Sequence, residues 1–283
     1  MISPYFVRAD GLGLSGRISG RTSRPRGLVV ALHGGTYDSA YYDIGPGSLL
    51  SLAPALDLCV VALDRPGYGS ATGSGAAVQS FDGQATVLVS ALKKIVDDVR
   101  PQLGTVLVGH SIGGMIALTL AARGVPGLRG VEVSGLGETW RPGMREMWGS
   151  FVGDDPFVEV PAEPHAEVML GPRGTYMSTR RALDAELIRP MPMPELKDAV
   201  RWSELFPSVA ADIGVPVALT FPEHDNIWMS DEAALSLATG RFTRAPSLSA
   251  ERFDAVGHCV ELHTRSRAYS LRQLAFVEDC LVT

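Results

Sequence analysis

The chain has 283 residues, enough for one α/β domain with insertions or for two small domains. Apolar residues make up 46% and charged residues 20% of it, which predicts a globular protein and excludes disorder. Its net charge is −6 and no basic stripe is present, so we expect no nucleic-acid partner. The longest apolar runs have the length of strands, and the N-terminus lacks the features of a signal peptide. We therefore expect no membrane association.

The three cysteines, Cys59, Cys259 and Cys280, are scattered and odd in number. This distribution argues against a disulfide framework and predicts a reducing, cytoplasmic location. The sequence has no H-E-x-x-H motif, no clustered Cys/His spacing and no phosphate-binding loop. We therefore expect neither a metal nor another cofactor. Either a monomer or a homodimer is compatible with the sequence.

Strands and helices alternate along the first half of the chain. Apolar runs such as residues 27–32 suit strands that are buried on both faces of a parallel sheet. Residues 80–99 are apolar at close to a 3.6-residue period, which predicts an amphipathic helix. The alternation predicts a mostly parallel central sheet flanked by helices. The predicted elements are an antiparallel pair at residues 5–19, strands at 27–32, 59–63, 105–108 and 130–134, and helices at 48–56, 80–99 and 115–122.

The alternation stops at Gly135 and resumes near Val215. The stretch between them contains nine prolines, six of the nine methionines and three of the four tryptophans. A structureless loop of this length would be unusual in a compact domain, and residues 178–188 and 195–205 have helical patterns. We therefore predict an inserted helical cap. The predicted division is a core of residues 1–136 and 208–283 and a cap of residues 137–207, with core strands at 216–221 and 252–255 and helices at 230–239 and 265–281.

The sequence GHSIG at residues 109–113 lies between an apolar strand and a helix. In this setting G-x-S-x-G is typical of a nucleophile elbow, a turn so sharp that the residue at its apex has strained backbone. Glycines two residues before and after the apex remove the Cβ atoms that would separate the strand from the helix. The hydroxyl of Ser111 would then lie near a helix N-terminus, which favours negative charge. The pattern also occurs by chance in turns with an incidental serine.

Ionisable residues follow two later strands. Residues 223–225 follow the strand that ends at Phe221, and His258 follows the last strand. Because ligands bind at the carboxyl ends of parallel strands, we expect these side chains to lie near Ser111. A serine needs a base to become nucleophilic, and the base needs a carboxylate that orients it. The order Ser…Asp…His along the chain is that of the α/β-hydrolase arrangement.

The chain resembles the α/β-hydrolase superfamily over nearly its whole length. The resemblance implies an α/β fold with a mostly parallel central sheet flanked by helices, no cofactor, and an inserted helical cap as the variable part. Five segments carry it, in order and at sensible intervals: LHGG at 32–35, DRPGYGSA at 64–71, GHSIGG at 109–114, PEHDNIW at 222–228 and GHCVELH at 257–263.

Carried over by position, the resemblance implies that Ser111 is the nucleophile, His258 the base and Asp225 the acid. The backbone N–H groups of Ile112 and Gly35 would form the oxyanion hole. Two further positions are secondary in this assignment. Thr36 is a possible substitute for Gly35, and His33 is expected to organise the loop through hydrogen bonds, with Asp64 and Arg65 as a polar brace beneath the site.

Three residues compete with this assignment. Glu223 lies two residues before Asp225, and Glu138 follows the strand after the elbow, where some relatives place the acid. Cys259 lies beside His258, but no second histidine is suitably placed in the sequence to activate it. Pro222 stands where relatives often have glycine, which would alter how the loop aims its carboxylate.

The cap composition predicts the kind of substrate. Methionine and aromatic side chains suit bulky apolar ligands, so we expect a hydrophobic or aromatic acyl group rather than a small charged acid. Most of these side chains are expected to serve packing. The residues predicted to contact the substrate are Thr36, Trp140, Met144, Trp148, Met177 and Trp202.

The leading hypothesis is a serine hydrolase that cleaves a carboxylic ester, a lactone or a thioester through an acyl-enzyme on Ser111. The resemblance also allows C–C bond hydrolysis, acyl transfer or cyclisation with the same triad. Serine rather than aspartate at position 111 argues against opening of epoxides or haloalkanes. A non-enzymatic small-molecule receptor is the third alternative, and the presence of all three triad residues disfavours it.

Overall fold

The structure is a computed structural model that describes residues 1–282. Its strands are β1 Ser3–Ala9, β2 Leu12–Gly20, β3 Gly27–Leu32, β4 Leu58–Leu63, β5 Thr105–His110, β6 Leu128–Ser134, β7 Phe157–Val158, β8 Met191–Pro192, β9 Val217–His224 and β10 Leu248–Gly257. Its helices are α1 Leu49–Leu52, α2 Ala76–Gln79, α3 Phe81–Val99, α4 Ile112–Ala122, α5 Met144–Ser150, α6 Ala162–Leu170, α7 Ser178–Leu187, α8 Met193–Val200, α9 Trp202–Ala211, α10 Glu232–Thr239 and α11 Ser266–Val282.

Eight of the strands form one sheet in the order β1-β2-β4-β3-β5-β6-β9-β10. β1 pairs with β2, and β2 with β4, in antiparallel fashion, whereas all other neighbours in this sheet are parallel. β3, β4 and β5 are buried at every residue, as expected for strands whose two faces are covered by helices. The predicted α/β class with a mostly parallel sheet is confirmed.

The strand order changes direction at β3. β4 lies on one side of β3 and β5 on the other. The loops that leave β3 and β5 therefore diverge at the carboxyl edge of the sheet, and a crevice forms between them. Residues 33–36 follow β3, and Ser111 follows β5. The topology thus places both parts of the predicted oxyanion hole at this crevice.

Local sequence signals account for most of the element ends. Ser80 caps α3 by accepting a hydrogen bond from the N–H of Gly83 at 3.2 Å, as the predicted start at residue 80 implies. The helix predicted at residues 48–56 is α-helical only over Leu49–Leu52 and continues as a 3₁₀ turn. Pro54 explains this difference, because proline has no N–H for an α-helical hydrogen bond.

Between β6 and β9 the chain forms five helices, α5 to α9, and the short antiparallel pair β7 and β8. α9 packs against α4, the helix that follows the elbow. α9 continues to Ala211 with Pro207 inside it, so the predicted cap boundary at residue 207 falls within a helix. The division into a core and a cap stays a prediction. Over residues 1–282, no helix is long and apolar enough to cross a membrane.

Candidate active site

Ser111 lies in a strained turn between β5 and α4. Its φ and ψ angles are 52° and −123°, a backbone conformation that residues other than glycine rarely adopt. A Cβ atom at Gly109 would lie 2.5 Å from the Cα atom of Gly114, and one at Gly113 would lie 2.1 Å from the carbonyl oxygen of Leu32. Both distances are too short for a side chain. The two glycines therefore allow the strand, the turn and the helix to pack closely around the serine.

Ser111, His258 and Asp225 form a continuous hydrogen-bonded series. Ser111 Oγ lies 3.0 Å from His258 Nε2, and His258 Nδ1 lies 2.9 Å from Asp225 Oδ2. The other carboxylate oxygen of Asp225 accepts the N–H groups of Ile227 and Trp228 at 2.8 and 3.1 Å. With Asp225 oriented in this way, a hydrogen on Nδ1 leaves Nε2 free to accept the proton of Ser111.

The two rival acids are engaged elsewhere. Glu138 forms an ion pair with Arg241 in which both carboxylate oxygens take part, at 2.6 and 2.9 Å. Glu223 accepts the N–H of Ala255 at 2.8 Å and pairs with Arg252 at 2.6 Å. The Ala255 N–H, above all, and the positive charges nearby lower the pKa of Glu223. Neither carboxylate contacts the candidate base.

Pro222 and Cys259 lie next to triad residues, but neither takes the place of one. Pro222 lies in β9, and its carbonyl accepts the N–H of Asp225 at 3.2 Å, so this proline shapes the turn that carries the acid. Cys259 does have a histidine neighbour, because His110 Nε2 lies 3.7 Å from its sulfur. Burial, followed by the charge of Asp184, raises the pKa of Cys259 well above its usual value, so it is a thiol and a poor nucleophile at neutral pH.

Ile112 and Gly35 are the residues whose N–H groups are predicted to form the oxyanion hole. Ile112 is the first residue of α4, so its N–H has no acceptor within the helix. The backbone of Gly35 packs closely on the same helix, because a Cβ atom there would lie 2.8 Å from Ile112 Cδ1. Both residues line a cavity with Ser111. The N–H of Thr36, the predicted substitute, instead donates to the hydroxyl of Tyr68 at 3.3 Å.

Comparison with known proteins decides the family. Residues 29–269 match the alpha/beta hydrolase family. The chain belongs to this family. As an α/β hydrolase, it shares its fold with a thermostable carboxyl esterase from Bacillus coagulans, at a TM-score of 0.76, 15% identity and 99% coverage of both chains. A soluble variant of monoglyceride lipase from Saccharomyces cerevisiae is similar at a TM-score of 0.75 and 15% identity, over 99% of this chain and 95% of that one.

Similarity to a curated mammalian relative covers part of this α/β hydrolase. Human monoglyceride lipase is 34% identical over 122 residues, which are 42% of this chain and 38% of that protein. The matching segment thus spans less than half of the curated relative. The similarity shows that the two proteins are related within the family. The activity and the substrate of this chain are proposed below.

His33 makes hydrogen bonds within residues 33–36 and with Arg65, as the sequence predicts; residues 33–36, the predicted oxyanion loop, follow β3. His33 Nε2 accepts the backbone N–H of Arg65 at 3.1 Å, so Nδ1 carries the hydrogen and donates to the carbonyl of Gly34 at 2.8 Å. Burial, followed by the charge of Arg65, lowers the pKa of His33 well below its usual value. A neutral ring satisfies both hydrogen bonds and holds the peptide that precedes Gly35.

Arg65 joins the same loop to the segment predicted as the cap. The guanidinium is fully buried and donates to the carbonyls of His33 and Gly34, at 2.8 and 3.1 Å. Its carboxylate partner is Glu195 of α8, with a second contact at 3.1 Å, whereas Asp64 instead accepts the N–H of Ser39. Asp64 and Arg65 therefore do not form the expected brace together, because each bonds to a different partner. Glu195 was not among the predicted site residues, and nothing in its local sequence distinguishes it from a surface glutamate.

An apolar cavity opens over Ser111. Of the predicted substrate contacts, Thr36, Trp140 and Trp148 line it. Trp140 also stacks on Trp228, with ring centroids 4.1 Å apart, and so ties the first residues after β6 to the loop that carries the acid. Several lining residues were not among the predicted contacts: Met115, Met169, Met191, Leu196, Ala199, Val200, Ile227 and Trp228.

The structure does not bring Met144, Met177 and Trp202 to this cavity. Met177 precedes α7 and is 56% exposed to solvent. Trp202 begins α9 and is fully buried, where it packs edge-on against Phe81. Met144 begins α5, and Trp148, one helical turn later, reaches the cavity in its place. Composition pointed to a segment that contributes to the walls of the cavity, but which face of each helix points at Ser111 depends on how the helices pack.

Proposed function

We propose that this protein is a serine hydrolase that cleaves carboxylic esters of apolar small molecules. The observation that carries the proposal is the series Ser111–His258–Asp225, which ends at an apolar cavity. In the proposed reaction, Ser111 Oγ attacks the ester carbonyl while His258 Nε2 takes its proton. Asp225 stabilises the resulting imidazolium, and the same proton then passes to the departing alcohol.

The second half of the reaction uses the same groups. The N–H groups of Gly35 and Ile112 would stabilise the oxyanion of each tetrahedral intermediate. After the alcohol leaves, the acyl group remains bound to Ser111 as an ester. Water attacks this acyl-enzyme as His258 removes a proton from it, and the carboxylic acid is released with the serine restored.

The proposed substrate carries an apolar or aromatic acyl group. The acyl group would lie in the apolar cavity over Ser111. Its walls include Trp140, Trp148 and Trp228, whose rings suit apolar groups. The names carboxyl esterase and monoglyceride lipase, given to similar proteins, both denote ester cleavage, which supports an ester rather than a lactone, a thioester or a C–C bond.

The test is hydrolysis of p-nitrophenyl esters, from acetate to decanoate and including benzoate, by the wild-type protein and by Ser111→Ala. We expect rapid release of p-nitrophenol by the wild type and loss of at least about 10³-fold in kcat for the variant. Equal turnover by both would overturn the proposal. Added alcohols distinguish hydrolysis from acyl transfer, because a transferase would yield a new ester. A receptor would bind the esters tightly without turnover.

We further propose a cytoplasmic location and a small molecule as the binding partner. Support comes from Cys59 and Cys259, which are buried thiols, in line with a reducing compartment. Burial raises the pKa of Cys59 to about 12, so this thiol is unreactive at neutral pH. The two predicted oligomeric states, monomer and homodimer, differ twofold in mass, which light scattering on the purified protein measures directly.

A further inference from the structure

Thr36, which follows Gly35 in the oxyanion loop, has an unusual backbone conformation. Its φ angle is 64°, in the left-handed region that β-branched residues seldom occupy and that glycine adopts without strain. Its N–H donates to Tyr68, and its carbonyl accepts the N–H of Arg189 at 2.8 Å. The side chain is 1% exposed. A threonine held in this conformation indicates that its hydroxyl has a role that glycine would not provide.

The hydroxyl of Thr36 begins a second buried series of hydrogen bonds. Thr36 Oγ1 donates to the carbonyl of Gly35 at 2.5 Å and lies 2.8 Å from His165 Nε2. Because its single hydrogen goes to Gly35, the contact with His165 requires a hydrogen on Nε2, and the contact of Nδ1 with the Asp184 carboxylate requires a second one. The series as a whole therefore needs His165 and Asp184 to be an ion pair. His165 Nδ1 lies 3.1 Å from Asp184 Oδ2, and Asp184 Oδ1 accepts the hydroxyl of Tyr37 at 2.5 Å.

This series connects the oxyanion loop to two helices of the segment predicted as the cap. Thr36 and Tyr37 follow β3, whereas His165 lies in α6 and Asp184 in α7. α6 and α7 pack against each other, and both side chains are at most 1% exposed. His165 and Asp184 do not contact Ser111, His258 or Asp225. Any influence they have on the reaction must therefore pass through the loop.

The Gly35 N–H lies in the plane of the peptide before Gly35, and the peptide after Gly35 restrains the other side of the same Cα atom. Glycine itself restrains its backbone little, so these peptide groups must be held from outside. The peptide before Gly35 is held through the carbonyl of Gly34, which accepts hydrogen bonds from His33 and Arg65. The peptide after it is held by Thr36, whose hydroxyl donates to the Gly35 carbonyl and is in turn fixed by His165.

We propose that His165 and Asp184 are positioning residues for the oxyanion hole, and that they act through the hydroxyl of Thr36. Together they keep the peptide after Gly35 from rotating and so restrain the Gly35 Cα atom, to which the peptide that carries the Gly35 N–H is also bonded. This inference rests on the proposed ester hydrolysis at Ser111. If it holds, two residues of α6 and α7 contribute to the reaction. The geometry of the oxyanion hole then depends on the position of these two helices.

The test compares variants that remove the hydrogen bonds with variants that keep them. Thr36→Val and His165→Leu are expected to lower the rate of acylation, measured from the pre-steady-state burst of p-nitrophenol, by about 10- to 100-fold. KM should change little, because the interaction is made with the transition state. Thr36→Ser and His165→Gln retain the hydroxyl and an N–H donor, respectively, and should recover most of the rate.

A matched control separates positioning from general loosening of the helices. Arg180 lies in α7 with Asp184 and donates to the carbonyl of Ile44, away from the oxyanion loop. Arg180→Ala should acylate at close to the wild-type rate. If a buried substitution prevents folding, Thr36→Gly serves in its place, since glycine fits a φ angle of 64° and still lacks the hydroxyl.

The outcomes are distinct. Wild-type rates in Thr36→Val, Thr36→Gly and His165→Leu overturn this inference and leave ester hydrolysis standing. An equal loss in Arg180→Ala also overturns it, because the effect would then follow from loosened helices. Absence of any turnover that depends on Ser111 overturns the proposed function, and this inference with it. Selective loss of the acylation rate, with recovery in the two conservative variants, supports it.

Discussion

Replacing Asp225 with asparagine tests the role of the acid while leaving the shape of the site intact. Asp225 Oδ1 accepts two backbone N–H groups, from Ile227 and Trp228, so this position must remain an oxygen. The amide NH₂ of asparagine then occupies the position of Oδ2, 2.9 Å from His258 Nδ1. Two donors cannot face each other, so Nδ1 must become the acceptor and the hydrogen must move to Nε2.

The expected consequence is a large loss of activity in a folded protein. With its hydrogen on Nε2, His258 can no longer accept the proton of Ser111, which lies 3.0 Å away. A base held in the wrong tautomer lowers kcat by about 10⁴-fold, which corresponds to about 5.5 kcal/mol in the activation free energy. The assay is steady-state hydrolysis of a p-nitrophenyl ester, with a thermal melt to show that Asp225→Asn folds.

Two neighbouring carboxylates provide the matched controls for this variant. Glu223 and Glu138 pair with arginines and do not contact His258, so Glu223→Gln and Glu138→Gln should retain activity close to wild type. The reasoning is refuted if Asp225→Asn keeps most of its activity. It is also refuted if one of the control variants shows the large loss instead.

Three further substitutions test the packing and the buried charges. Gly113→Ala places a Cβ atom 2.1 Å from the carbonyl oxygen of Leu32. We expect thermal melts to show that the free energy of unfolding falls by about 1–3 kcal/mol, and we expect activity to be lost. Unchanged stability would contradict the packing of the elbow. Glu195→Gln removes the charged partner of the buried Arg65, so urea denaturation should show that the free energy of unfolding falls by about 3–5 kcal/mol. A decrease below about 1 kcal/mol would argue against a buried ion pair. Burial raises the pKa of Glu261 from 4.5 to about 8, so the folded state keeps a proton that the unfolded state loses. The resulting contribution to stability is complete below about pH 4.5 and declines towards pH 8, by up to about 1.4 kcal/mol per pH unit; Glu261→Gln should flatten this decline in thermal melts, and an unchanged slope would exclude Glu261 as its origin.

The sequence predicted the parts of the site that depend on local geometry. The spacing of Gly109, Ser111 and Gly113 specifies a turn that few other residues could form, so the elbow is visible without a structure. His258 was identified because it follows a strand in a parallel sheet. The choice of Asp225 over Glu223 rested on the resemblance, because both lie at the end of β9, and in the structure their partners distinguish them.

The sequence did not predict the contacts made by the helices between β6 and β9. Trp148 and Trp202 belong to the same segment, yet one reaches the cavity and the other is buried against Phe81. His165 and Asp184 have no motif around them, and their partners Thr36 and Tyr37 lie more than a hundred residues away in the chain. Such contacts follow from the packing of whole helices, which local pattern and spacing do not determine.

Covalent trapping of the nucleophile is the most direct test of the account. The wild-type protein is incubated with a fluorophosphonate, its intact mass is measured, and the modified peptide is sequenced. We expect one phosphonyl group for each chain, located on Ser111, with little labelling of Ser111→Ala and slow labelling of Asp225→Asn. A modification on another residue, or equal labelling of Ser111→Ala, would contradict the assignment of Ser111 as the nucleophile.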